Sequence, residues 1–453
     1  MTSRVDAHTH LGSGAAPFVA VPVVLSEHIR DSVSVPSRVR RRLTEIMWSP
    51  RVCLIGSVFL LFFTIGFFRN VDFKSLQRSL LQSAELKERE LTTTTQPQQF
   101  TTASWLGDSY SSETALYSAS ECPSKLQQKL EQLKWEGGAF LSTVPVLQWA
   151  PHATQDLYNR LRHYVGCMGW PIKFDDLKEA LSLLNSTANG VMFDKWREPV
   201  KREKWSKRGA PPSSACVRCA VVGNGGILRK AGRGSEIDKH DYVFRMNGAL
   251  LHGFEEDVGT RTSFYFFSTT TMRNSLRAYR RNGFVTVPIS EETRFVFIPD
   301  HDRDFFMVTA AVKGVLVEKG GEKGINPSKL FGPNLTAEKF KMVHPDFSRY
   351  LRNRLLPAPI MKSKSRNIYR PSTGGFALLT ALYTCDEVSA YGFLTKNYAN
   401  FSNHYYDKTY KKTGFLANHN YNKEMKLWRR LHDVGAISLF MRNNTDVGLL
   451  HKS

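Results

Sequence analysis

Acidic side chains are the scarce class in this chain of 453 residues, with 41 Asp and Glu against 62 Lys and Arg and a formal charge of +21. Such an excess invites nucleic acid, an anionic membrane or an anionic substrate. The basic residues are spread over almost every stretch, however, and no RGG run, zinc-finger spacing or heptad repeat organises them into a nucleic-acid footprint. Charge by itself selects no partner. Cysteine is also sparse, at six residues. The pair Cys216-x-x-Cys219 has no second CxxC to complete a zinc site. A third glycine is missing from the run beginning Gly223-Asn224-Gly225, where G-x-G-x-x-G would need it and Leu228 stands instead, which weakens a nicotinamide-binding reading. Apolar material is not lacking: 42% hydrophobic and 12% aromatic residues exclude a wholly disordered or fibrous chain. The length allows two or three folded units.

Between Arg51 and Arg69 lies a strongly apolar run of seventeen residues without a charge, reading VCLIGSVFLLFFTIGFF. As a helix it spans ~25 Å, short for a membrane crossing but sufficient in a thin bilayer. No small-residue cleavage site follows, since Phe67, Phe68, Arg69 and Asn70 are bulky or charged, so the run reads as an uncleaved signal anchor. Arg38, Arg40, Arg41, Arg42 and Arg51 outweigh Arg69, Lys74 and Arg78 across it, which places the N-terminus in the cytosol and the rest in the lumen. The expected organisation is a cytosolic tail (1–51), a type II anchor (52–68), a Ser/Thr-rich lumenal stem (69–121) and a folded domain (122–453). A lumenal body argues against nucleic acid as a partner.

Five cysteines then face an oxidising compartment: Cys122, Cys167, Cys216, Cys219 and Cys385. Two bridges and one free thiol are expected. Sequons at Asn185, Asn334, Asn400 and Asn443 agree with a secretory route.

From Cys219 the chain reads Cys-Ala-Val-Val-Gly-Asn-Gly-Gly-Ile-Leu, a short apolar strand running into a Gly-rich turn of the kind that brings backbone N–H groups close to phosphate. Further strands are predicted at 242–246, 263–267, 294–298, 387–391 and 436–440. Helices are predicted at 376–384 and 421–432, the second with Met425, Trp428 and Leu431 on one stripe. Alternating strand and helix predicts an α/β fold with a doubly wound, mainly parallel, Rossmann-like sheet and ligands at the carboxyl ends of its strands.

Four segments, 219–257, 371–393, His404-Tyr405-Tyr406-Asp407 and His419-x4-Glu424, resemble in order and spacing the sialylmotifs L, S, III and VS of animal sialyltransferases. The wording Phe-Arg-Met-Asn-Gly-Ala, Gly-Phe-Glu-Glu-Asp-Val-Gly-Thr, Phe-Gly-Pro at 331 and His-Pro-Asp-Phe at 344 is most similar to the alpha-N-acetylgalactosaminide alpha-2,6-sialyltransferases acting on mucin-type O-glycans. The similarity covers residues 122–445. It implies a GT-A-like variant fold in the Golgi, and inverting transfer of sialic acid from CMP-sialic acid without metal or other cofactor. The implied acceptors are GalNAc-Ser/Thr or Gal-GalNAc-Ser/Thr glycoproteins.

The resemblance also assigns residues. His419, ahead of the second helix, is the candidate general base. Neutral imidazole suits proton removal from a sugar hydroxyl, and a helix N-terminus disfavours imidazolium, while Glu424 in the first turn opposes that effect. His404 is the candidate donor to the departing phosphate. Asn224 and Asn247 are expected to hold the nucleotide, Ser372, Thr373 and Gly374 the phosphate and sialic carboxylate, and Gly392 and Phe393 to lie beside the cytidine. The bland alternatives are turn glycines and a core aromatic. The resemblance pairs Cys219 with Cys385; Cys122 is then the best partner for Cys216, leaving Cys167 free. Asp300-His301-Asp302 resembles a metal-holding D-x-D, but it lies outside every motif and is read as an acidic surface loop. Another sialyl linkage, alpha-2,3 to Gal or alpha-2,8, and a silent lumenal glycan-binding protein remain the alternatives.

Overall fold

The computed structural model describes residues 109–113, 122–193 and 216–443. The tail, the anchor and most of the stem expected from the sequence lie outside these residues. No described helix is long and apolar enough to cross a membrane.

The frame is one eight-stranded sheet: β1 (Leu147–Gln148), β2 (Arg218–Val222), β3 (Tyr242–Met246), β4 (Phe264–Phe267), β5 (Arg294–Phe297), β6 (Phe340–Val343), β7 (Glu387–Tyr391) and β8 (Ser438–Leu439). Their order is β1-β6-β5-β4-β3-β2-β7-β8, and every pairing is parallel except β1 with β6. The expected strands are present within one or two residues at each end, and β1 and β6 are additions to that expectation. Five helices of nine or more residues are described: α1 (Phe174–Ser182), α2 (Thr269–Ala278), α3 (Asp302–Lys313), α4 (Thr373–Thr384) and α5 (Tyr421–Asp433).

Strand composition and helix placement explain each other. Central strands such as Phe264–Phe267 are buried at every position, because parallel sheets are covered on both faces. Successive side chains divide strictly between the two cores. Cys219, Val221, Phe244, Met246, Phe264 and Phe266 pack with α4 and α5; Ala220, Val222, Val243, Tyr265 and Phe267 pack with α1 and α3. Helix α5 corrects the expected stripe. Its buried residues are Glu424, Leu427, Trp428 and Leu431, so the helix turns a carboxylate inward while Met425 is only half-buried.

The cysteines pair as Cys122–Cys216 and Cys219–Cys385, and Cys167 is a buried free thiol. The second bridge fastens β2 to the C-terminal end of α4. Residues 109–113, within the stretch read as stem, are held against the body. The Ser111 N–H donates to Asp346 at 2.8 Å, Arg349 donates to the Ser109 carbonyl at 3.0 Å, and Glu113 bonds the His152 ring. Asp346, of the His-Pro-Asp-Phe segment, is completely buried and also accepts from Arg160 at 2.9 Å.

Asn224, Asn247 and Gly392 follow the carboxyl ends of β2, β3 and β7, whereas Ser372 precedes α4, the helix that leads into β7. From β2 the chain proceeds to β3, β4 and β5 on one side, whereas β7 and β8 lie on the other. Adjacent parallel strands whose connections diverge open a crevice at their carboxyl ends, and β2 and β7 are such a pair.

Candidate active site

The turns after β2, β3 and β7 meet at this crevice. Gly223 and Gly225 pass so close to Gly392 that a Cβ on either would lie 2.7 or 2.5 Å from the Gly392 carbonyl oxygen. Gly392 has φ of +71°. These glycines let two strand ends cross, with the Gly225 N–H donating to Gly392 O at 3.0 Å, so the turn reading of Gly392 accounts for its geometry. Phe393 is likewise a buried aromatic, edge-on to Trp428 at 5.9 Å, although its ring also borders Gly374, where an added Cβ would meet it at 3.4 Å.

Asn224 and Asn247 stand differently. The Asn224 amide donates to Met246 O at 3.1 Å, and its backbone carbonyl accepts from the Tyr405 N–H at 3.1 Å, tying the turns of motifs L and III. Asn247 occupies the left-handed region at φ 49°, and its carbonyl accepts from the Tyr265 hydroxyl at 2.6 Å. In both residues the side-chain Oδ1 is buried with no hydrogen-bond partner. A buried acceptor left open costs about 1–3 kcal/mol, and strained non-glycine backbone clusters at ligand sites. Two open amide oxygens at one sheet end fit ribose hydroxyls or a cytosine amino group.

At the start of α4 the expectation meets an occupant. The Ser372 hydroxyl caps the helix, accepting from the Gly375 N–H at 2.9 Å, and donates to Glu424 Oε2 at 2.6 Å. The Ser372 N–H donates to Glu424 Oε1 at 2.7 Å. A protein carboxylate thus sits where phosphate or sialic carboxylate was expected to bind the serine. Thr373 and Gly374 beside it stay partly exposed. Glu424 does not cap its own helix; Asn420 does so, accepting from the Lys423 N–H.

His419 lies just before α5. Its Nδ1 is 2.9 Å from the Arg370 carbonyl, and a carbonyl only accepts, so Nδ1 carries the proton and Nε2 keeps its lone pair. Burial is the chief cause pushing this imidazole down, to about 4; the Arg370 carbonyl opposes it and the Arg370 charge adds to it. The expected influence of Glu424 is absent, because that carboxylate turns to Ser372. His404 is stacked on Tyr406 at 4.9 Å and edge-on to Tyr279 at 5.5 Å. Burial lowers its pKa, while Asp407, whose Oδ2 is 3.7 Å from Nδ1, opposes the shift. Asp407 also organises the turn, accepting from the His404 N–H at 2.7 Å and from Ser402 at 2.8 Å. Contacts link the two histidines around one sheet end: Tyr406 borders Gly248, Met246 borders Gly374, and Ser372 follows Arg370 by two residues.

Residues 167–436 match the family model described as Glycosyltransferase family 29 (sialyltransferase). The chain belongs to this family of sialyltransferases. It is 43% identical to alpha-N-acetylgalactosaminide alpha-2,6-sialyltransferase 2 of Mus musculus over 324 residues, covering 71% of this chain and 83% of the relative. Against the Homo sapiens protein of that name the identity is 44% over 306 residues, covering 67% and 78%. A solved structure titled "Crystal Structure of a Mammalian Sialyltransferase" is similar with a TM-score of 0.41 and 24% identity, covering 67% of this chain and 92% of that one. The family uses a CMP-sialic acid donor without metal.

Two features around the candidate site of this sialyltransferase were not expected from its sequence. Asp300 is no surface acid: it is 4% exposed and accepts from Arg370 at 2.9 Å, with the His301 ring at 2.8 Å. Asp302 instead opens α3, where an acidic residue suits the helix N-terminus. Arg370 was overlooked because it precedes motif S by one position and matches no motif.

Glu424 makes one pH prediction. Burial raises its carboxyl from 4.5 to about 7, against the Ser372 hydrogen bonds that lower it. The folded protein therefore binds this proton more readily than the unfolded chain, so stability is lost as pH rises from about 4.5 through 7. Glu424→Gln keeps an acceptor for the Ser372 N–H and lets its amide donate to the hydroxyl. Between pH 5.5 and 8.5, denaturant titrations should show the wild type losing about 2 kcal/mol more than the variant. Buried Asp304, also raised to about 7, contributes equally to both proteins and cancels. Parallel pH curves for the two proteins would disprove the assignment.

Proposed function

We propose that this sialyltransferase moves sialic acid from CMP-sialic acid to the 6-hydroxyl of GalNAc in mucin-type O-glycans, inverting the anomeric carbon. His419 Nε2 takes the proton from the 6-hydroxyl as its oxygen bonds to the anomeric carbon. The bond from that carbon to the phosphate oxygen breaks, and CMP departs with the electron pair. His404 donates a hydrogen bond to the phosphate oxygen on which charge grows. Asn224 and Asn247 supply open acceptors to the nucleotide. Thr373 and Gly374 face the sialic acid end, with Ser372 shaping that turn through Glu424. Residues 52–68 anchor the enzyme in the Golgi membrane with the body in the lumen. Exposure of Asn185, Asn334, Asn400 and Asn443 is compatible with glycosylation there.

The linkage rests on one observation, the 43% and 44% identity over about two thirds of the chain to relatives named for alpha-2,6 transfer to GalNAc. The test is to incubate the enzyme with CMP-sialic acid and either GalNAc-Ser/Thr or Gal-GalNAc-Ser/Thr glycopeptide, then map the new linkage. Sialic acid on O6 of GalNAc is the expected product. An alpha-2,3 or alpha-2,8 product, or none with either acceptor, would refute the proposal.

A further inference from the structure

We propose that Asp300 and Arg370, which lie outside the four motifs, form a positioning pair that holds His419 in its reacting tautomer and place. The inference rests on the reading of His419 as the base and adds the element that aims it.

Arg370 grips the turn carrying His419 at two points through its backbone. Its N–H donates to the Asn418 carbonyl at 3.0 Å, and its carbonyl accepts from the His419 Nδ1–H at 2.9 Å. A single residue thereby fixes both the path of the turn and the face of the ring. Its own freedom is small. Pro371 follows, which restricts the conformation of the residue before it, and Tyr369 precedes, buried and bonded through its hydroxyl to Leu356 O at 2.6 Å.

The side chain supplies the third fixed point. The Arg370 guanidinium donates to Asp300 Oδ2 at 2.9 Å, and the Asp300 side chain is only 3% exposed. Asp300 sits on a braced loop. Asp304 Oδ2 accepts from the N–H groups of Asp300 at 2.9 Å and His301 at 3.2 Å, and Asp304 Oδ1 accepts from the Thr269 N–H at 2.6 Å. The anchor therefore runs from the first turns of α2 and α3, at the ends of β4 and β5, to the imidazole before α5. An imidazole displaced by about 1 Å can lose a hundredfold in rate, so such bracing acts on turnover and not on donor affinity.

The pair also sets charge. The groups facing it are His301 and Asp304 beside Asp300, and Cys167 beside Arg370, with Arg352 acting on Cys167. Around His419 they are the Arg370 cation and the Tyr421 ring at 5.5 Å. Asp300 offsets the Arg370 cation. Removing the anion leaves that cation uncompensated, which disfavours imidazolium further and moves the acidic limb of the rate profile to lower pH.

Asp300→Asn tests this at nearly constant shape. The expected result is a kcat lower by about tenfold or more, an acidic limb at lower pH, and CMP affinity and KM for CMP-sialic acid within about twofold of wild type. An ion pair serving stability alone would change neither the limb nor the split between kcat and KM, and a wild-type kcat and limb would overturn the proposal. Should Asp300→Asn fail to bind CMP, Arg370→Lys, which keeps the charge and loses the guanidinium geometry, is judged in its place by the kcat and KM split alone, and a wild-type kcat there overturns the proposal. His419→Ala, run alongside, separates the two claims. Full turnover in that variant removes the base itself, whereas an inactive His419→Ala beside a wild-type Asp300→Asn sinks only the positioning pair.

Discussion

Alanine at position 419 is expected to slow sialyl transfer by about 10²- to 10⁴-fold while CMP still binds. The geometry behind this expectation is specific. The ring's Nδ1 is committed to the Arg370 carbonyl at 2.9 Å, so the variant loses a neutral imidazole already in the tautomer that accepts a proton at Nε2. The nucleotide contacts assigned to Asn224 and Asn247 lie on other turns and survive the change. The pH dependence follows from the same site. A base works when unprotonated, and burial pushes His419 down to about 4, so kcat/KM should hold well below pH 6.5. The phosphate and carboxylate of bound donor favour imidazolium, which should place the acidic limb of kcat above that of kcat/KM. Initial rates across pH, with CMP affinity measured separately, check both points. Parallel loss of CMP binding and turnover in His419→Ala would mean that the residue only maintains the fold.

Cys385→Ser is expected to abolish activity. The Cys219–Cys385 bridge spans a sequence separation of 166 residues, and in the chain-entropy model a loop of that length is worth roughly 5 kcal/mol. That is a large share of a typical domain's stability. The bridge also joins the strand leading to Asn224 to the far end of the helix that begins at Ser372, so its loss loosens both sides of the crevice. The variant further leaves Cys219 as a thiol that is fully buried. Activity and thermal midpoint should fall together. Wild-type turnover in Cys385→Ser would show that the two motifs keep their places without the bridge.

The long-range order of the fold was largely visible in advance because parallel strands buried on both faces read as short apolar runs. Arg218–Val222 and Phe264–Phe267 are of this kind. The antiparallel edge strand β1 was not visible, since two residues carry no periodicity. Helix α5 shows a different limit. Its stripe suggested Met425 at the core, but Glu424 is the residue turned inward, because its carboxylate has Ser372 to bond with 52 residues away in sequence. Periodicity assumes that a charged side chain faces water, and only a distant partner can reverse that. Asp300 was misread for the same reason, its Arg370 partner being 70 positions away.

Sequence by itself carried the family and the strand-helix alternation, because these depend on residue type and spacing along the chain; the expected disulfide pairings and the candidate histidines came with the resemblance. Tertiary structure alone decided which polar atoms are spent on the protein and which stay open. It engaged Ser372 with Glu424, left the amide oxygens of Asn224 and Asn247 without partners, and set Arg370 between Asp300 and His419. The physical reason is that hydrogen bonds and desolvation depend on through-space neighbours, which the order of residues does not specify until the sheet has brought its strand ends together.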